Sequence, residues 1–173
     1  MACPRVEPIR PRAISRSVIR ETYLLPFQAA VQEAHVGSVM ASYNEIDGVP
    51  NHINHWLLDK VLRQEWGFDG YLASDGDGLQ MLVGTHHVAY NFADAARQGL
   101  AAGIDYDLSE GTVYSTLVEQ VKQGLVPERE VDRAVVAGRG PLVMTVHVYP
   151  LPPYCRRKCN DERHMARGSN AGG

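Results

Sequence analysis

Three short apolar runs, each closed by polar or acidic residues and each set off from the next by a helical pattern, constrain this chain more than any other feature. Residues 37–43 carry Val39 and Met40 and end on Ser42, Tyr43 and Asn44. Residues 71–74 run straight into Asp75-Gly76-Asp77. Residues 104–108 alternate apolar side chains with Asp105 and Asp107 and lead to Glu110. Runs of this length bounded by turn residues read as buried strands. Strands that alternate with helices predict an α/β fold with a parallel sheet and right-handed crossovers. Ligand sites in such sheets lie beyond the C-terminal ends of the strands. That rule alone selects Tyr43 and Asn44, the segment from Ser74 to Asp77, and the segment from Asp105 to Glu110.

The helical stretches follow from spacing. Ile19, Tyr23, Phe27, Ala30 and Val31 recur at helical intervals over residues 17–34, and Pro26 within them predicts a break or kink. Residues 44–54 read as a loop, with Asp47-Gly48 and Pro50 as turn signals. Trp56, Leu57, Val61, Leu62 and Trp66 make an amphipathic helix that stops at Gly67, and both tryptophans are expected in the core. A long loop is expected after Asp75. Further helices are predicted over 91–102, closed by Gly103, and over 113–123, closed by Gly124. The last opens at Pro127 with Glu128 and Glu130 in its first turn and an apolar face of Val131, Ala134 and Val135.

Character divides the chain into three. Residues 1–16 are rich in proline and arginine and unpatterned, residues 17–136 hold the strand and helix pattern, and residues 137–173 read as a divergent, disordered tail. The 17 basic and 20 acidic side chains nearly balance, so neither nucleic acid nor a membrane surface is an expected partner. No apolar run approaches the roughly 20 residues of a membrane helix. The first 20 residues hold five arginines and no apolar stretch of signal-peptide length, so no secretory signal is read there. Three cysteines, Cys3, Cys155 and Cys159, imply no disulfide framework.

Asp75 is the leading candidate for chemistry. A carboxylate at a strand end, beside a glycine that lets a ligand approach the backbone, suits a nucleophile, a base or a metal ligand. A turn or helix-capping aspartate is the plain alternative. Tyr43 and Asn44 offer a phenol and an amide that can orient sugar hydroxyls or a carboxylate. Asp75, Asp77, Asp105 and Asp107 together would supply a divalent-metal site, which keeps a metal-dependent α/β enzyme as an alternative. His86-His87 is read as a polar loop pair ahead of a sugar or metal contact. Cys155, Cys159 and His164 have loose spacing for zinc and lack a clear fourth ligand, and the basic run 156–158 reads as solvated tail.

The motifs then resemble a known family. Gly37-Ser-Val-Met-Ala-Ser-Tyr-Asn44, Gly48-Val-Pro50, Trp56-Leu-Leu58, Leu62-Arg-Gln-Glu-Trp-Gly-Phe-Asp-Gly70 and Ser74-Asp75 occur in the order and spacing of glycoside hydrolase family 3. Arg20-Glu-Thr-Tyr-Leu-Leu-Pro-Phe27 matches the helix before this block. Ala101-Ala-Gly-Ile-Asp-Tyr-Asp-Leu108 resembles the last barrel strand, and residues 123–132 the helix hairpin after it. The similarity covers residues 15–136.

The resemblance implies a partial TIM-type (β/α) barrel with about three parallel strands, since a full eight-fold barrel takes about 250 residues. It implies retaining hydrolysis of terminal β-linked sugars, as in β-glucosidases and β-xylosidases, with no cofactor. Asp75 takes the nucleophile position, and Met40 and Tyr43 line the subsite of the sugar being cleaved. Tyr43 is expected to hydrogen-bond near the nucleophile and the sugar. The family usually carries a tryptophan directly after its nucleophile, where this chain has Gly76. Its Lys-His dipeptide is absent here, and its acid/base carboxylate commonly comes from a following α/β domain, which makes Glu110 a poor candidate for that role. The expectation is a fragment with little or no activity alone, whose open sheet edges favour self-association. A non-enzymatic remnant or mis-assembled gene product is the other alternative.

Overall fold

The computed structural model describes residues 14–144. The chain divides into two units, Met1–Pro141 and Leu142–Gly173. Residues 1–13 and 145–173, with all three cysteines, His164 and the basic run 156–158, lie outside the described residues.

The architecture is mixed α/β. β1 (Ser38–Met40) and β4 (Tyr71–Ala73) pair in parallel, with Val39 opposite Leu72. The crossover between them carries the helix Trp56–Glu65, as the strand-helix-strand pattern requires. The third expected strand is reduced to one parallel bridge between Ala73 and Tyr106. Its own aspartates explain the shortening. Asp105 turns its carboxylate back to the amide of Leu72 (2.9 Å). Asp107 gathers the amides of Ser109 (3.1 Å), Val113 (2.8 Å) and Tyr114 (3.1 Å) and bends the chain away. Side chains that bond nearby amides compete with a strand ladder.

Several helices depart from their expected bounds. Pro26 does not kink a continuous helix. α1 (Arg16–Val18) passes into wide turns over Ile19–Tyr23, and α2 (Leu25–Gln32) starts afresh with Pro26 in its first turn. There the missing N–H has no helical partner to lose. The loop expected after Asp75 contains α3 (Gly78–Gly84), whose Leu79 and Leu82 are fully buried. Residues 44–54 are not all loop either. β2 (Glu45–Ile46) and β3 (Val49–Pro50) form a hairpin across Asp47 and Gly48, whose φ values are 52° and 76°. Two positive φ values at Asp-Gly are the mark of a tight hairpin turn that follows strand twist.

The remaining elements are α4 (Phe92–Ala102), capped by Asn91, then a single 3-10 turn Tyr114–Thr116 leading into α5 (Leu117–Lys122), and α6 (Glu128–Met144). α6 continues past residue 136, where the apolar pattern ends, and crosses Pro141.

Leu72 of β4, Leu79 and Leu82 of α3, Leu100 of α4, and Ile104 and Val113 fill the main core. A smaller cluster joins Ile19, Leu24 and Val61. Trp56 and Trp66 are half-buried against it rather than enclosed, and the guanidinium of Arg16 lies 4.6 Å from the Trp56 ring centre. Among the described residues no helix is long and apolar enough to cross a membrane.

Candidate active site

The end of β4 is clamped before Asp75 leaves it. Ser74 is fully buried; its amide donates to the Tyr106 carbonyl (2.8 Å), and its Oγ accepts from the Leu108 amide (3.0 Å). These bonds fix where the strand stops. Asp75 follows as a half-buried residue at the C-terminal edge of the sheet. Its Oδ1 accepts from the Gly76 amide (2.8 Å), and its carbonyl accepts from the Gly78 amide (3.0 Å). Asp77 has a φ of 59° and donates its amide to Ser109 Oγ. The amides of Ser74, Gly76, Asp77 and Gly78 thus each have a partner within the turn or in the 106–109 segment.

Tyr43 lies beyond the end of β1, the strand beside β4. Its Oη donates to the carbonyl of Gly76, next to Asp75. Partial desolvation raises the Tyr43 phenol above its usual range, and the charges of Asp75 and Asp77 add to it. Met40, on β1 opposite Ala73, leaves about half of its surface exposed. The parallel register thus brings Met40, Tyr43 and Asp75 to one end of one sheet. Asn44 is exposed; its carbonyl accepts from the Asn51 amide (3.0 Å) and closes the base of the hairpin.

The sequence reading missed His52. It sits in a 3-10 turn (Asn51–Ile53) after the hairpin and is 1% exposed. Its Nε2 accepts from the Asp75 amide (3.1 Å), and its ring centre is 6.4 Å from that of Tyr43. Burial lowers its pKa to about 4, against the opposing pull of the Asp75 charge and with a further push from His86. No spacing rule singles out this histidine. The nearest signal is Gly78, where a Cβ would stand 2.2 Å from His52 Nε2.

The other candidates separate. Asp105 and Asp107 do not join Asp75. Asp105 is held by Arg63 (2.6 Å) and the Leu72 amide near the start of β4, and burial pushes it up against the pull of both. Asp107 is spent on three backbone amides. Among the described residues no three His, Cys, Asp or Glu side chains converge as a metal-ligand set. His87 Nδ1 lies 3.1 Å from the Val83 carbonyl near the end of α3, and His86 Nδ1 lies 3.7 Å from Glu45 Oε2. Glu110 is exposed with a φ of 55°. A shallow groove of about 330 Å³ runs along α3 between Asp77, Gln80, Met81 and Phe92, and reaches the turn only through Asp77.

A strand-end aspartate, a tyrosine just beyond the end of the neighbouring parallel strand, and the motifs around both coincide with one sequence family. The glycosyl hydrolase family 3 N terminal domain matches residues 9–137. The chain belongs to this family. A β-xylosidase of Formosa agariphila is 49% identical over 98 residues, which cover 57% of this chain and 14% of that protein. The structure of a β-glucosidase from Erythrobacter marinus superposes with a TM-score of 0.64 at 46% identity, over 66% of this chain and 15% of that one. The β-glucosidase of Listeria innocua in complex with glucose gives a TM-score of 0.66 at 32% identity, over 72% of this chain and 17% of that one. The chain thus spans about one-sixth of the length of its family 3 relatives.

Proposed function

We propose that this chain carries the nucleophile segment of a retaining β-glycosidase that removes terminal β-linked xylose or glucose. The observation that carries the proposal is the meeting of Asp75 and Tyr43 at the ends of paired parallel strands, with Tyr43 Oη on the carbonyl of the residue after Asp75. The substrate class rests on the relatives, which are a β-xylosidase and β-glucosidases. In this reading the sheet is part of a (β/α) barrel, and β1, β4 and the Tyr106 bridge supply three of its strand positions.

The chemistry needs a carboxylate that attacks the anomeric carbon and a protonated carboxyl about 5 Å away that protonates the departing oxygen. Asp75 takes the first role. The half-buried setting leaves its carboxylate reachable, and the Gly76 amide bonded to Oδ1 holds its orientation. Tyr43 and Met40 line the bound sugar. The proton donor is assigned to another part of the enzyme, so this chain alone has little or no hydrolytic activity.

Grafting residues 9–137 in place of the matching segment of the Formosa β-xylosidase tests the proposal. The graft should hydrolyse an aryl β-xyloside or β-glucoside. Asp75→Gly in the graft should lower kcat by at least about a thousandfold. Added azide should then restore turnover and yield a glycosyl azide of inverted configuration. Retained activity, or loss without azide rescue, counts against Asp75 as nucleophile.

A further inference from the structure

We propose that His52 is a positioning residue for Asp75: its neutral imidazole, seated on Gly78, accepts the Asp75 amide hydrogen and so fixes the turn that presents the carboxylate beside Tyr43. This deepens the reading of Asp75 as nucleophile and rests on it.

The turn is held by five amide hydrogen bonds, and four of them are local or come from the chain between Tyr106 and Ser109. The Ser74 amide goes to the Tyr106 carbonyl, Gly76 to Asp75 Oδ1, Asp77 to Ser109 Oγ and Gly78 to the Asp75 carbonyl. Only the Asp75 amide goes to the segment that also carries Tyr43. That segment is stiff. The hairpin Glu45–Pro50 is closed by the Asn51 amide on the Asn44 carbonyl, and Asn51 Nδ2 donates to Ser42 Oγ (3.0 Å) on the other side of Tyr43. His52 follows Asn51 directly. The His52 imidazole therefore ties the piece that holds the phenol to the backbone of the piece that holds the carboxylate.

The imidazole has little freedom to act otherwise. It is 1% exposed. A Cβ on Gly78 would lie 2.2 Å from Nε2 and 2.4 Å from Cε1, so the ring occupies the space a side chain would take. Because Nε2 accepts, the single proton of the neutral ring must be on Nδ1. Nδ1 is buried and has no partner among the described residues. A ring chosen only to fill space would do better as a hydrocarbon, since an unpaired buried N–H is unfavourable. The acceptor nitrogen is what the site gains from a histidine. Protonation would turn that acceptor into a donor facing another N–H, so the tie exists only while the ring is neutral. Asp75, Tyr43 and His86 are the titratable groups around it.

The full 173-residue chain, labelled with 15N, provides the test. In the wild type the His52 imidazole should show an unprotonated Nε2 and a protonated Nδ1 at neutral pH. Hydrogen exchange at the Asp75 amide should accelerate roughly tenfold in His52→Leu, which keeps the apolar bulk, and stay near the wild-type rate in His52→Gln, whose carbonyl oxygen can accept. Gly78→Ala should reproduce the leucine result by pushing the ring off its seat. A proton on Nε2, two averaged ring nitrogens, or an Asp75 amide indifferent to all three substitutions would overturn the inference. None of these readouts depends on catalysis. A nucleophile assigned wrongly shows in the azide experiment alone, and a tie assigned wrongly shows here alone.

Discussion

Arg63 reaches from the Trp56–Glu65 helix to within 2.6 Å of the Asp105 carboxylate and with its other nitrogen bonds the Gly70 carbonyl at 3.1 Å. The pair lies by the start of β4, at the opposite end of the strand from Asp75, and joins the crossover helix to the start of β4 and to the Asp105 segment beside it. The Asp105 side chain is only 2% exposed, so removing the guanidinium strands a buried charge. Arg63→Met should destabilise the chain by about 3–5 kcal/mol in urea unfolding. Asp105→Asn in the Arg63→Met background should restore part of the loss. Additive losses in the double variant would show that the two residues do not act as a pair.

How far this site was legible depends on the distance over which each residue's role is decided. Asp75 stands out in the sequence because a local rule, a short strand followed by a glycine, puts a carboxylate at a ligand-binding edge. The same holds for Tyr43. His52 could not be read, because its role depends on register with Gly78, and neither residue carries a local signal for the other. The fold shows the same division. The Trp56–Glu65 helix follows from its apolar spacing. Helix α3 was hidden by Gly76, Gly78 and Gly84, which lower helix propensity where tertiary burial of Leu79 and Leu82 decides the outcome. The third strand promised five residues and supplied one bridge, because Asp105 takes the Leu72 amide and Asp107 turns the chain away by gathering amides beyond the strand.

The His52 imidazole also makes stability depend on pH, with a definite sign. Its folded value is about 4, and an unfolded histidine titrates near 6.5. Between those values the unfolded chain binds a proton that the folded chain does not, so stability falls as the pH falls. The contribution is intact above about pH 6.5, and about 3 kcal/mol is lost by about pH 4. Urea midpoints for the wild type and His52→Gln, compared between about pH 7 and pH 4.5, isolate this one group. The wild-type curve should fall relative to that of His52→Gln as the pH falls. Parallel curves would mean that the imidazole is not held neutral by the fold.

Gly76 and Gly78 should respond oppositely to the same change. Gly76 has an ordinary φ, and a Cβ there would meet only Tyr43 Oη, at 3.6 Å. Gly76→Ala should therefore leave stability within about 0.5 kcal/mol of the wild type, whereas Gly78→Ala has to displace a buried ring and should lose about 1–3 kcal/mol. Nothing in the backbone demands a glycine at 76, so its small size leaves the wall beside Asp75 open. In the xylosidase graft, Gly76→Trp should restore the aromatic side chain usual in the family. It should shift the ratio of kcat/KM between β-xyloside and β-glucoside by roughly tenfold. An unchanged ratio would remove Gly76 from sugar selection.

β1 has a free edge. In the parallel pair the Gly37 carbonyl accepts from the Tyr71 amide and the Ala41 amide donates to the Ala73 carbonyl. Residues of that parity face β4, so the backbone groups of Ser38 and Met40 point the other way, and among the described residues no strand pairs there. Unpaired strand edges recruit a second chain. Sedimentation of the purified chain should show association that rises with concentration. Ser38→Pro removes a donor from the open side and leaves the β4 side its bonds, and the residue before it is a glycine that tolerates the restriction proline imposes. The variant should keep its far-ultraviolet circular dichroism and sediment as a smaller species. Association that persists unchanged in Ser38→Pro would place the contact elsewhere. A monomeric wild type at every concentration would show that the open edge recruits nothing.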